Sequence, residues 1–303
     1  MLNEIPWNPE FFRQTYEELK TQYIFRRAEE YEDEIMCIFN GIESGASCPF
    51  VQGLHFRKGE VTLWGAPNGN GKSLLTGQIS MQLADGVDRV AIMSFEMLPK
   101  YTFARLARQR LGSKHVRVED LHRFFEAYHN SLFVLDHKGA IDYQAVMGAT
   151  IVAVRDFRCT HVVIDNLSKI VSGDTDLDSQ KEVVQAICDL AQQLNVHIHL
   201  VHHVRKTKDE AEELNKFSFK GSSAIVDQVD NAILIQRNRV KEKKREEGTL
   251  SYQDDADSGD TIMQVVKQRN GDWEGRIHLW FNTAANAFCE DVSRRTPWQR
   301  GEQ

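Results

Sequence analysis

The sequence predicts an α/β fold: a mostly parallel sheet flanked by helices, with an antiparallel C-terminal extension and a helical arm in front. Three observations predict it. From residue 60 to about 226, short apolar runs alternate with longer helical segments, as in a parallel sheet covered on both faces. Beyond about 226 the helical segments stop, and strand-like runs follow one another as in hairpins. Ahead of residue 46 the chain is polar, and its apolar residues recur at helical spacing.

Residues 1–45 read as a helical N-terminal arm or linker. Asn8 suits an N-cap and Pro9 the first helical position, and Phe11, Phe12, Tyr16, Leu19 and Tyr23 follow at helix-like intervals. A second, highly charged helical stretch covers 26–39, ended by Gly41, Gly45 and Pro49. Such an arm either packs on its own core or reaches a neighbouring subunit, and the residues leave both open. The main domain covers 46–303. Strands are expected at 61–64, 89–95, 132–135, 161–164 and 196–201, with helices at 73–83, 102–111, 143–157 and 180–194, and Gly112 suits the C′ position. Strands at 231–236, 261–267 and 276–281 supply the antiparallel part. Between the first two, residues 241–260 carry dense charge and few apolar side chains, which reads as a mobile, solvated loop.

With 303 residues, 41% of them hydrophobic, the chain can bury a sizeable core. Its net charge of −7 excludes a generally basic nucleic-acid binder, so any such contact must come from a local patch. No apolar run reaches the roughly 18 to 20 residues that span a bilayer. The first ten residues, MLNEIPWNPE, are neither a signal nor a transit peptide. Cys37, Cys48, Cys159, Cys188 and Cys289 show no C-x-x-C pairing, as expected of reduced thiols. A cytoplasmic protein without a membrane partner is expected.

The chemistry begins at Ala66-Pro67-Asn68-Gly69-Asn70-Gly71-Lys72-Ser73, which fits the Walker A pattern. Its glycines let backbone N–H groups wrap a phosphate, and the helix that follows presents its positive end. Lys72 suits the β- and γ-phosphates and Ser73 the Mg²⁺ ion of ATP or another nucleoside triphosphate. The run 162–165 is an apolar strand ending in Asp165, a second Mg²⁺ ligand of Walker B type. Ser94-Phe95-Glu96 repeats that geometry, which makes Glu96 the candidate general base. His197, His199, His202 and His203 crowd one strand and its exit. No carboxylate or cysteine joins them at metal-ligand spacing, so half-buried sheet histidines are expected for the first three. His203, at the strand tip, can hydrogen-bond a γ-phosphate. Arg205, Lys206, Lys208, Lys216 and Lys220 decorate the following loop amid four acids. They suit a sequence-independent DNA-phosphate contact; a solvated loop of mixed charge is the plainer alternative. Lys267 and Arg269 end a strand expected at the sheet edge, where cations can complete a neighbour's active site.

The series GAPNGNGKS, IMSFEM, HVVIDN, LVHHVRK, FKGSSAIVDQVDNAILIQRNR, VVKQRNGDWEG and HLWFN resembles, in order, the RecA-like motor domains of DnaB-type hexameric replicative helicases. Within that family the likeness is to the Twinkle helicases and to the helicase half of T-odd phage primase-helicases, and it covers about 53–282. It implies a RecA-like P-loop NTPase core. Lys72, Ser73 and Asp165 would hold Mg-nucleotide, Glu96 would activate water and His203 would sense phosphate. Lys267 and Arg269 would be the in-trans piston and finger. Arg237 and Phe281 align with positions that flank a nucleobase, and an arginine plane with an aromatic ring can sandwich a base of single-stranded DNA.

The expected partners are single-stranded and forked DNA, further copies in a hexameric ring, and a primase or polymerase. The chain departs from the family in having no zinc-binding or priming region and no helical collar, an architecture that suggests a phage. On the same residues a strand-exchange ATPase forming a filament, or a loader without unwinding, are the alternative activities.

Overall fold

The computed structural model describes residues 27–41, 45–171, 177–205, 212–220 and 223–300. The chain divides into two compact units, residues 1–44 and 45–303. In the first, a 3₁₀ turn at Ala28–Tyr31 leads into helix α1 (Glu32–Phe39). The helix expected around Asn8 to Tyr23 lies outside the described residues.

The second unit opens with a two-stranded ribbon, β1 (Ala46–Ser47) and β2 (His55–Phe56), and then strand β3 (Val61–Ala66). Helix α2 (Lys72–Ala84), strand β4 (Val90–Ser94) and helix α3 (Pro99–Leu111) follow. Gly112 closes α3 in the left-handed conformation, at φ 70°, as its glycine allows. Next come α4 (Val118–Tyr128), β5 (Leu132–Val134), α5 (Tyr143–Arg155), β6 (His161–Asp165), α6 (Leu177–Leu194) and β7 (His197–His203). The last stretch holds α7 (Ser223–Gln228), β8 (Asn231–Arg237), α8 (Arg239–Glu246), α9 (Tyr252–Asp257), β9 (Thr261–Gln268), β10 (Gly275–Asn282) and β11 (Ala287–Cys289).

Nine strands form one sheet in the order β11-β10-β9-β8-β3-β7-β6-β4-β5. The six strands from β8 to β5 are mutually parallel, and β9, β10 and β11 pair antiparallel. This is the predicted α/β architecture. Apolar side chains pack both faces. On one, Val184 and Ile187 of α6 meet Val162, Ile164, Ile198 and Leu200. On the other, Leu75 and Ile79 of α2 meet Trp64, Val163 and Val201. No helix among the described residues is long and apolar enough to cross a membrane.

Several expectations are corrected. Helices do not stop at residue 226, and 239–258 is not a solvated loop but the pair α8 and α9. Asn238 caps α8 and Ser251 caps α9, each accepting a backbone N–H. The charges that suggested solvation neutralise one another. Lys241, 3% exposed, reaches Asp255 at 2.9 Å and Asp260 at 3.2 Å, Arg245 bonds Asp260 at 2.7 Å, and Arg294 bonds Asp255 at 2.7 Å. The Arg294 hydrogen bond holds the Asp255 carboxyl well below the ordinary carboxylate range. Charge density predicts exposure only when the charges have no partners, and this run has them.

Helix α4, between Gly112 and β5, went unread although it buries Phe124 and Tyr128. Strand β9 is not at the sheet edge, because β10 covers its outer side. The histidines of β7 are not half-buried: His197, His199 and His202 are each at most 2% exposed. His197 accepts or donates to Thr62 Oγ1 at 2.9 Å and to the Arg57 carbonyl at 2.7 Å, while Trp64 Nε1 donates to His199 Nδ1 at 3.3 Å. His161 stacks on His199. No group of three metal-ligating side chains occurs among the described residues.

Burial pushes the His197 imidazole down to about 3 and that of His202 to about 4, and lowers His199 as well. Above pH 6.5 these rings are neutral whether the chain is folded or not, and the folded state bears no cost. Below it the unfolded chain takes up protons that the folded chain refuses, so stability is lost as pH falls from 6.5 towards 4. The free energy of urea unfolding should drop by up to about 1.4 kcal/mol per pH unit for each of the three rings across that window. A stability unchanged between pH 7.5 and 5 would refute the assignment of neutral buried rings.

Candidate functional site

The parallel register gathers four strand ends on one edge of the sheet. Ser94 pairs with Asp165, Asp165 with Val201, and Ala66 with His203, so the tips of β3, β4, β6 and β7 lie side by side. Crossover connections then place the loops after these strands at the same edge, where open α/β sheets bind ligands.

The turn after β3 is the glycine-rich loop. Gly71 has φ 88°, and a Cβ there would stand 2.9 Å from Phe288 Cζ, so both backbone angle and packing demand glycine. The loop leads directly into α2, whose first turn carries Lys72 and Ser73. Lys72 is 7% exposed, and its Nζ donates to the Ala66 carbonyl at 3.0 Å and meets His203 Nδ1 at 3.2 Å. Burial lowers its pKa, against the pull of Asp165 and Glu96. Asp165, 4% exposed, is shifted upward by burial, while a hydrogen bond from Ser73 opposes that shift. Its Oδ1 is buried and has no hydrogen-bond partner. A buried carboxylate oxygen left open beside a hydroxyl is the donor set of a hard divalent cation, so these residues fit Mg²⁺.

Glu96 follows β4, half-exposed, and Asn166 follows Asp165, fully buried. The Asn166 amide donates to Glu96 Oε1 at 2.8 Å and approaches His203 Nε2 at 3.1 Å. Ser168 Oγ donates to the Asn166 carbonyl oxygen. A neutral imidazole has one acceptor nitrogen, so Lys72 and Asn166 compete for it. His203 is thus wired to both the lysine and the carboxylate. Arg105 of α3 joins Asn68, Lys72, Ser73, Glu96 and His203 around a cavity of about 400 Å³, and burial lowers its pKa. Sequence reasoning missed Arg105, since a lone arginine on an amphipathic helix carries no signal. Asn166 had one: an amide directly after a strand-end acid.

A second cavity, also about 400 Å³, shares Gly69, Gly71 and Leu74 with the first. Arg237 of β8 and Phe281 of β10 stand on its walls, and the Phe281 ring meets Phe288 edge-on at 5.4 Å. The expectation of a DNA contact is corrected here, because the pair lies beside the P-loop and not with the cationic loop after β7. The backbone N–H of Arg237 even donates to Asn70 Oδ1, at 2.8 Å.

The other expected residues lie apart. Lys206 and Lys208 fall outside the described residues. Arg205 and Lys216 are exposed and Lys220 half-buried. Val204 and Phe219 form a bridge between the ends of that loop, and the Phe219 ring packs on Gly65, where a Cβ would come within 2.4 Å of it. Lys267 and Arg269 sit at the opposite end of the sheet, since Gln268 pairs with Asn231 at the start of β8 while Arg237 pairs with Thr261. Seven residues of strand separate these ends by roughly 20 Å. Lys267 Nζ donates to the carbonyls of Val226 and Asp227, and Arg269 pairs with Asp230 at 3.0 Å.

The AAA domain family matches residues 49–209, more than half of the chain. Among solved structures, the chain is similar to an ATPase domain of the DnaB-like replicative helicase type, with a TM-score of 0.70 and 15% identity over 86% of this chain and 98% of that one. It is also similar to a DnaB-like replicative helicase described with its interactions with primase, with a TM-score of 0.65 and 15% identity over 92% of this chain and 71% of that one.

Because Asp165 is charged against the cost of burial, Asp165→Asn should raise the melting temperature, by about 2 °C for each kcal/mol relieved. The same substitution should abolish the further rise that Mg-nucleotide produces in the parent chain. A lowered melting temperature, or a retained Mg-nucleotide effect, would contradict the reading of Asp165 as a strained metal ligand.

Proposed function

The chain belongs to the AAA domain family and has a RecA-like motor fold, and on that premise we propose that it is a ring-forming, NTP-dependent helicase motor that moves along single-stranded DNA. The observation that carries the reading is the split between the two ends of the sheet. Lys72, Ser73, Asp165, Glu96 and His203 converge at one end, while Lys267 and Arg269 stand at the other and cannot reach them within one chain.

In this reading a nucleoside triphosphate lies across the P-loop. Its phosphates occupy the cavity of Lys72 and Arg105, and its base the cavity between Arg237 and Phe281. Ser73 and Asp165 would hold Mg²⁺, which neutralises charge on the β- and γ-phosphate oxygens when bound. Glu96, oriented by Asn166, accepts the proton of the attacking water. The water oxygen bonds to the γ-phosphorus as the bond to the bridging oxygen breaks, releasing diphosphate and phosphate. Lys72, Arg105 and the loop N–H groups stabilise the oxygens that gain charge.

His203 connects this event to DNA. It closes β7 directly before the loop bearing Arg205, Lys216 and Lys220, so exchanging its partners as the γ-phosphate departs moves the base of that loop. The loop cations contact the strand through phosphates, which a net-acidic protein can do when only its channel is basic. Lys267 and Arg269 of one copy complete the site of the next, and a closed ring, hexameric as in the family it resembles, satisfies every such contact. The N-terminal unit, 1–45, would serve as the linking arm.

Hydrolysis should rise severalfold with single-stranded DNA, and a forked duplex should be unwound. Lys72→Ala should remove both activities, and near-wild-type turnover in that variant would dismiss the P-loop site. Unwinding absent from an active ATPase, or open filaments in negative-stain images, would instead favour a loader or a strand-exchange ATPase.

Mixing inactive Lys72→Ala and Arg269→Ala subunits should restore part of the activity, because some interfaces then pair two intact halves. No recovery at any ratio would mean that Arg269 does not act across an interface.

A further inference from the structure

Helix α8 stands against the cavity shared by Arg237 and Phe281, and Glu242, Arg245 and Glu246 reach its lining. We propose that α8 is the base-side wall of the nucleotide site, and that its Glu242 is a positioning residue which presents Arg237 as a flat stacking surface for the nucleobase. The inference rests on reading the adjoining P-loop as a nucleoside triphosphate site.

Arg237 is held at both ends. Its backbone N–H donates to Asn70 of the P-loop at 2.8 Å, and its Nε donates to Glu242 Oε1 at 2.5 Å. The other Glu242 oxygen accepts from Arg239 Nη1 at 2.9 Å, so the carboxylate is itself fixed between two guanidinium groups. Pairing along the edge of a guanidinium leaves its two faces for stacking, where a base or aromatic ring binds.

Helix α8 is rigidly referenced to the opposite wall. Arg245 and Lys241 bind Asp260, and the other oxygen of Asp260 accepts the Phe281 backbone N–H at 2.9 Å. One carboxylate therefore anchors both the helix that orients Arg237 and the strand that carries Phe281. Arg294 and Asp255 brace the same cluster. The two stacking surfaces are set relative to each other before any ligand enters. A preordered arginine spares the binding step the entropy of immobilising a long side chain.

The test compares wild type, Glu242→Ala, Glu242→Gln, Arg237→Ala and the Arg237→Ala/Glu242→Ala double variant. Each is assayed by steady-state hydrolysis of ATP and by inhibition with inorganic tripolyphosphate, which has the phosphates and no base. Glu242→Ala should raise KM for ATP by about tenfold, the scale of ordering one such side chain, with the loss falling on KM and not on kcat. Tripolyphosphate inhibition should keep its strength, and Glu242→Gln, nearly isosteric, should recover part of the loss. In the Arg237→Ala background, removing Glu242 should add nothing. An unchanged KM, additive losses in the double variant, or an equal weakening of tripolyphosphate would overturn the proposal. If Glu242→Ala does not fold, the Glu242→Gln variant carries the same comparison with a smaller effect. Wild type that neither hydrolyses ATP nor binds tripolyphosphate would remove the nucleotide-site reading itself, and this inference with it.

Discussion

Everything distinctive in the molecule depends on holding opposite charges out of water at the ends of parallel strands. Asp165 and Lys72 are almost wholly buried, and Arg105 stands over them. Burial opposes the charged form of all three, and mutual attraction only partly offsets it. Such an arrangement persists because the apolar sheet around it fixes the backbone. Trp64, Ile164 and Leu200 are at most 1% exposed and leave the strand tips no room to relax. Strain of this kind belongs at a site that must discharge it onto a ligand.

The strands also act as rulers. Because β3, β4, β6 and β7 run in one direction, everything at their tips shares one edge. The antiparallel return of β9 sends Lys267 and Arg269 to the other. Those cations are tied to the end of α7 and to Asp230, and α7 follows the loop that begins at His203. The nucleotide edge and the cationic far edge are therefore joined by a short path of backbone and hydrogen bonds.

The core of the fold was legible in the sequence because its signals are local. Alternation of apolar runs and helical segments gave the parallel sheet, and the loop at 66–73 and the acid at 165 stand where their spacing placed them. Glu96 and His203 were legible for the same reason, each ending an apolar strand. The pair α8 and α9 was not. Their residues look solvated until Lys241, Arg245 and Arg294 are brought to Asp255 and Asp260 from separate parts of the chain. Arg105 was hidden in the same way, since nothing in 99–111 distinguishes it from Arg108 or Arg110.

The sequence by itself determined which groups could meet a phosphate and in what order along the chain, because turn chemistry and strand periodicity are properties of neighbouring residues. Only the tertiary structure decided what those groups face. It moved Arg237 and Phe281 from a DNA contact to a wall beside the P-loop, and buried three histidines of β7. It also separated Arg269 from Lys72 by the length of a strand. Partners in space are chosen by register and packing across the sheet, and no window of sequence contains both members of such a pair.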